Sequence, residues 1–233
     1  AVLARENLDV AAPLIDRLTQ PVEVDKQVVS GSTPPLEAFA IAVAATFTLA
    51  FVTVLLVAGS LALEREENAF SRLTRGLVSS EALLGEKVLL GIVVGLVVTI
   101  LMLAGLQIFV PLEWGRFGLW LAAITVSGAA LAAAGAALGA AAREVRAVSL
   151  LAFMVTLPVA FLSLVPSGTV GKGLYDVIKV ITALFPFKPA LEAITAALEA
   201  GNGSLGTPLL HLAILIVAYA VIARVALRRF ARV

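Results

Sequence analysis

Five apolar runs, separated by polar connections, set the pattern of this chain: residues 36–63, 88–110, 117–142, 147–166 and 208–227. Each is close to or beyond the ~20 residues that an α-helix needs to cross a bilayer at ~1.5 Å per residue. No period-two alternation of the kind a barrel strand needs is present. The pattern predicts an all-α, polytopic membrane helix bundle of five spans. The first run outlasts the hydrocarbon thickness, so it tilts or continues into water. Residues 143–146 make a tight turn between the third and fourth runs. Between the fourth and fifth, residues 174–184 and 190–200 are helix-prone but too short to span. They read as two helices, re-entrant or interfacial, with Pro189 at a first helical position of the second.

The longest polar interruption is EREENAFSRLTRGLVSSEALLGEK, residues 64–87. The first run can continue as helix to Phe70, and Ser79 or Ser80 is placed to cap the helix entering the second run. Phe70, Leu73 and Leu77 recur at helical spacing, which gives a short amphipathic stretch beside the membrane. A solvated turn needs far fewer residues. The loop is therefore built to dock on a partner protein. Residues 1–35 are mixed in character and close on Gly31-Ser32-Thr33-Pro34-Pro35. They read as the end of an extracytoplasmic domain, with residues 36–233 as the transmembrane domain.

Composition agrees with the pattern. Hydrophobic residues make up 61% and charged ones 14%, whereas soluble domains carry about 25% charged residues. The net charge of +1 gives no footprint for nucleic acid. With no cysteine, disulfide and thiol chemistry are excluded. Arg65, Arg72, Arg75, Lys87, Arg143, Arg146, Arg224, Arg228, Arg229 and Arg232 fall on one side, against Arg116, Lys172, Lys179 and Lys188 on the other. By the positive-inside bias, the N-terminal tail is extracytoplasmic and the C-terminus cytoplasmic in a multi-pass plasma-membrane protein. Trp114 and Trp120 sit where interfacial aromatics belong. A polar tail that must be translocated needs an earlier membrane helix, so the chain reads as the C-terminal part of a longer protein.

Gly91, Gly95, Gly128, Gly135 and Gly139 recur at helical spacings that let helices approach closely, and packing within the chain accounts for them better than a dedicated dimer face. No ionisable residue falls at a plausible mid-span position, which argues against a self-powered carrier. Glu37, His211 and Arg224 lie near span ends. Gly201–Gly206 matches G-x-G-x-x-G but follows no strand, and residues 168–173 lack the Ser or Thr of a phosphate loop. No hydrolase motif is present, and no metal or cofactor is called for.

At 64–87 the chain resembles the permease subunit of ABC-2-type transporters, on Glu64, Arg65, Glu66, Leu73, Val78, Ser79 and Lys87. Asn68-Ala69 replaces the usual Gly-Thr, Leu77 the usual Pro, and Glu86 is inserted before Lys87. The resemblance implies six helices, one of them before residue 1, and outer helices before the last span. It also implies a homo- or heterodimer of permeases driven by ATP-binding cassette subunits, without catalysis in this chain. Glu64, Arg65, Glu66, Glu67, Phe70, Arg72 and Leu73 would couple to the ATPase, and the direction would be export. The alternatives from other classes are a secondary carrier or channel fragment, and a non-transporting scaffold. Substrate is not legible in the sequence.

Overall fold

The computed structural model describes residues 36–67, 79–110, 112, 114–141, 144–199 and 204–230. All belong to the unit Pro34–Val233. The extracytoplasmic tail read at 1–35 lies outside the described residues. The helices are α1 (Leu36–Glu66), α2 (Ser80–Leu106), α3 (Phe117–Ala141), α4 (Val145–Ser163), α5 (Lys172–Leu184), α6 (Phe187–Leu198) and α7 (Gly206–Phe230). A 3-10 turn, Trp114–Arg116, leads into α3. Five of these helices, α1, α2, α3, α4 and α7, are long and apolar enough to cross a membrane.

Their burial separates them into a core and a shell. Half of the apolar stretch of α1 and 67% of that of α3 are buried, against 22% in α2, 28% in α4 and 17% in α7. The reason is the side chains that α3 lacks. A Cβ on Gly135 would lie 2.9 Å from the carbonyl oxygen of Val54, and one on Gly139 would lie 2.8 Å from that of Ala58. Backbone meets backbone along this seam, the close approach that small residues permit where apolar lipid supplies no drive for association. Gly128 faces Leu49 more loosely, at 3.6 Å. Residue numbers rise together along both partners, so α1 and α3 run parallel.

Gly91 and Gly95 also turn toward α1, onto Val57 and Thr53. Here the numbering falls on one helix as it rises on the other, so α2 is antiparallel to both. The hydroxyl of Thr48 adds a link, donating to Met102 Sδ at 3.2 Å. Helix α7 lies on α3, and α4 lies on α1. Pro158 stays inside α4 without ending it.

Helices α5 and α6 form a hairpin that enters the bundle. Trp120 Nε1 donates to Ala197 O at 3.1 Å and pins the last turn of α6 to the start of α3. At the tip, Phe187 is fully buried, with its ring 4.9 Å from that of Phe47. Phe47 is eleven residues into α1, about 16 Å from its start. From α7, His211 Nε2 lies 2.9 Å from Ala183 O, and Tyr219 donates to Leu184 O at 2.9 Å. Those two carbonyls end α5 without helical partners of their own, so α7 supplies them. The tip therefore sits well inside the span of α7.

Several boundaries differ from the sequence reading. Helix α2 starts at Ser80, ahead of the apolar run and beside the expected cap, but ends at Leu106 rather than 110, and α4 ends at Ser163 rather than 166. Helix α6 starts at Phe187, so Pro189 is its third residue rather than its first. Its missing N–H is still one of the first four that lack a helical acceptor. Ser79 is the cap of α2, its Oγ accepting from Ala82 N at 3.1 Å. Residues 168–173 form a turn, with Gly168 at φ 96° and Thr169 donating to Pro166 O, that opens α5.

Candidate functional site

Helix α1 carries Glu64, Arg65 and Glu66 on its last turn. Successive residues on a helix point about 100° apart, so three adjacent charges reach three different neighbours. Glu64 Oε1 meets Lys87 Nζ on α2 at 2.6 Å, with both side chains largely buried. The same ammonium lies 3.3 Å from Glu86 Oε1. Glu64 Oε2 is buried without a partner among the described residues.

Arg65 turns to the C-terminus of α3. Its Nη1 donates to Ala140 O at 2.7 Å and to Gly139 O at 3.4 Å. The last carbonyls of a helix have no helical donor and carry the negative pole of its dipole, so a guanidinium there is doubly favoured. Glu66 does the opposite for α4. Glu144 occupies the N-cap position of that helix but makes no capping bond with its side chain. Instead, Val145 N–H donates to Glu66 Oε2 at 3.0 Å. An anion on another helix thus serves the positive pole of α4.

Consecutive charges on one turn therefore hold α2, α3 and α4. A further ion pair, Arg224 to Glu81, joins the end of α7 to the start of α2. All five long helices are tied together at this end by charged groups.

The other sequence-predicted residues fall as follows. Glu67 is exposed, its N–H donating to Leu63 O at 3.0 Å. Phe70, Arg72 and Leu73 lie outside the described residues. Gly91, Gly95, Gly128, Gly135 and Gly139 all face α1, above the clasp. Sequence reasoning did not pair Glu64 with Lys87 or Glu81 with Arg224. One signal was available: Glu64 opens the polar interruption and Lys87 closes it, so closing the α1–α2 connection brings them together. Among the described residues, no group of three His, Asp or Glu side chains comes together that could hold a metal ion.

A family model described as ABC-2 family transporter protein matches residues 4–225, nearly the whole chain. The chain belongs to the ABC-2 family of transporter proteins. No curated protein matches it closely enough to count as a relative. As an ABC-2 chain it is the membrane subunit of a transporter, in a family that generally works with an ATP-binding subunit. The five apolar helices give it a multi-pass place in the membrane. The clasp lies in the motif that carries the family resemblance.

Proposed function

We propose that this protein is the permease subunit of an ATP-driven exporter, and that the Glu64–Glu66 end faces the cytoplasm and receives force from a separate ATP-binding subunit. The observation that carries this reading is the clasp. A push delivered to the last turn of α1 is shared at once with α2, α3 and α4, because three adjacent side chains are bonded to them. Force enters through Glu67 and the following residues Phe70, Arg72 and Leu73, which the resemblance assigns to the ATPase contact. Glu64, Arg65 and Glu66 act one step inward, as positioning residues that spread the movement through the bundle. Two copies, or this chain and a similar one, enclose the pathway.

The orientation follows from the Lys and Arg bias, with the α5–α6 hairpin and Trp114 on the extracytoplasmic side. The test uses the assembled complex in vesicles. Reversing Glu64 and Arg65 together is expected to uncouple ATP hydrolysis from transport by more than tenfold. ATPase activity that stays coupled in that variant removes the transmission role. Copurification without any ATP-binding subunit removes the ATP-driven reading itself.

A further inference from the structure

Helix α6 is buried on every side but one. Phe187, Ala190, Ala193, Ile194 and Ala197 are packed into the bundle, while Lys188, Glu192, Thr195 and Glu199 are not fully covered. The spacing of four and three residues places Lys188, Glu192 and Thr195 on one stripe of the helix, and Glu199 is its C-cap. The stripe begins at the submerged tip beside Phe187 and ends near the Trp120–Ala197 bond. The sequence reading counts Lys188 with a polar connection; the hairpin carries it into the bundle.

This stripe does nothing evident for the fold. Lys188 stands in the first turn of α6, where the helix dipole disfavours a cation. Its Cα–Cβ bond tilts toward the helix N-terminus, which here is the deep end, so its stem starts away from the nearer surface. Among the described residues no ion pair involves Lys188, Glu192 or Glu199. Thr195 Oγ1 and Glu199 Oε1 are buried and without a partner there. Charged groups at membrane depth face water or a polar occupant rather than lipid tails. Helix α5 differs in exposing a run of large apolar residues, Leu174, Val177, Val180 and Leu184, beside its Lys172, Asp176 and Lys179, the two-sided surface of a helix lying at a membrane interface.

We infer that the α6 stripe lines the hairpin-side half of the transport pathway and takes the head group of an amphipathic, zwitterionic cargo. Lys188 receives the anionic group at depth. Glu192, one turn or about 5 Å nearer the surface, receives the cationic group, and Glu199 receives it next as the head leaves. The inference rests on the transporter reading and adds the class of cargo.

Two measurements test it on the assembled complex. The chain has no cysteine, so Lys188→Cys and Glu192→Cys can each be probed with a membrane-impermeant thiol reagent. Ser204→Cys serves as the positive control at the same end and Val180→Cys as the lipid-facing one. Labelling at 188 and 192, but not at 180, is expected. Protection of 188 and 192 while 204 reacts overturns the inference, as does disulfide crosslinking of 188 between two copies, which makes the stripe a protomer contact. The second measurement is stimulation of ATPase by lysophosphatidylcholine, dodecyl phosphate and dodecyltrimethylammonium. Lys188→Gln should weaken the apparent affinity for the first two at least tenfold and leave the third within twofold; Glu192→Gln should weaken the first and third. Equal shifts for all three probes mean a structural role and overturn the cargo assignment. A complex without ATPase activity defeats the ATP-driven reading, and the labelling pattern then decides the stripe alone.

Discussion

At one end of the bundle, Glu64, Arg65 and Glu66 each finish on a group of opposite sign: an ammonium, two helix-end carbonyls and a helix-start N–H. On α6, Lys188 and Glu192 stand one turn apart and pair with nothing among the described residues. Both sets are charges on apolar helices, yet only the first contributes to holding the helices together. Partnered charge at a membrane protein's edge marks a joint. On the inference drawn above, the unpartnered charge of the hairpin marks a place that cargo visits.

The largest expected effect breaks the joint. Glu64→Lys sets two cations face to face where the Glu64 and Lys87 side chains are only 17% and 13% exposed. Removing one partner of a nearly buried pair costs about 3 kcal/mol. The thermal midpoint in detergent should fall clearly, and the swap Glu64→Lys with Lys87→Glu should recover more than half the loss. A single variant as stable as the parent would mean that the pair is not part of a joint.

The seam above the clasp should show a graded response. Gly139→Ala puts a methyl 2.8 Å from the Ala58 carbonyl oxygen and 3.0 Å from its Cα, and these backbone atoms cannot turn aside. Overpacking of this kind costs about 1–3 kcal/mol. Gly128→Ala meets only Leu49 Cδ1 at an ordinary 3.6 Å, and its stability should stay within about 0.5 kcal/mol of the parent. Unfolding of the two variants side by side checks the order; equal losses would show that the α1–α3 spacing is looser than the structure has it.

Lys188→Gln sharpens the comparison because its sign is opposite. Deleting a cation that has no partner and stands at the wrong pole of its helix should raise stability, by about 1 kcal/mol, while transport falls. A loss of stability would place Lys188 with the joints.

Much of this was legible along the chain. The five spans and the short helices before the last follow from hydropathy and length alone. The start of α2 was legible too, not from hydropathy, since Glu81, Glu86 and Lys87 end the apolar run although they lie in the helix, but from Ser79 as its cap. The clasp residues were legible as a motif, but two of their three partners are backbone groups, Ala140 O and Val145 N–H, which no side-chain pattern announces. Lys188 was read as part of a connection because Pro186 and Pro189 flank it. Only the docking of Phe187 on Phe47 shows that this turn packs against α1.

The smallest expected effect concerns the remaining ion pair. Arg224 and Glu81 join α7 to α2 with side chains 51% and 56% exposed. Solvent and salt screen such a pair, and holding two long side chains in one geometry costs rotamer freedom. Arg224→Ala should therefore lower stability by no more than about 0.5 kcal/mol. That small loss should vanish at ~1 M salt, where the screening length falls to ~3 Å. The Glu64–Lys87 pair, largely out of water, should keep most of its contribution under the same conditions. Unfolding of Glu64→Gln and Arg224→Ala across a salt series measures both. If the two losses fade together, the clasp is solvated like any surface pair, and its claim to be a rigid joint fails.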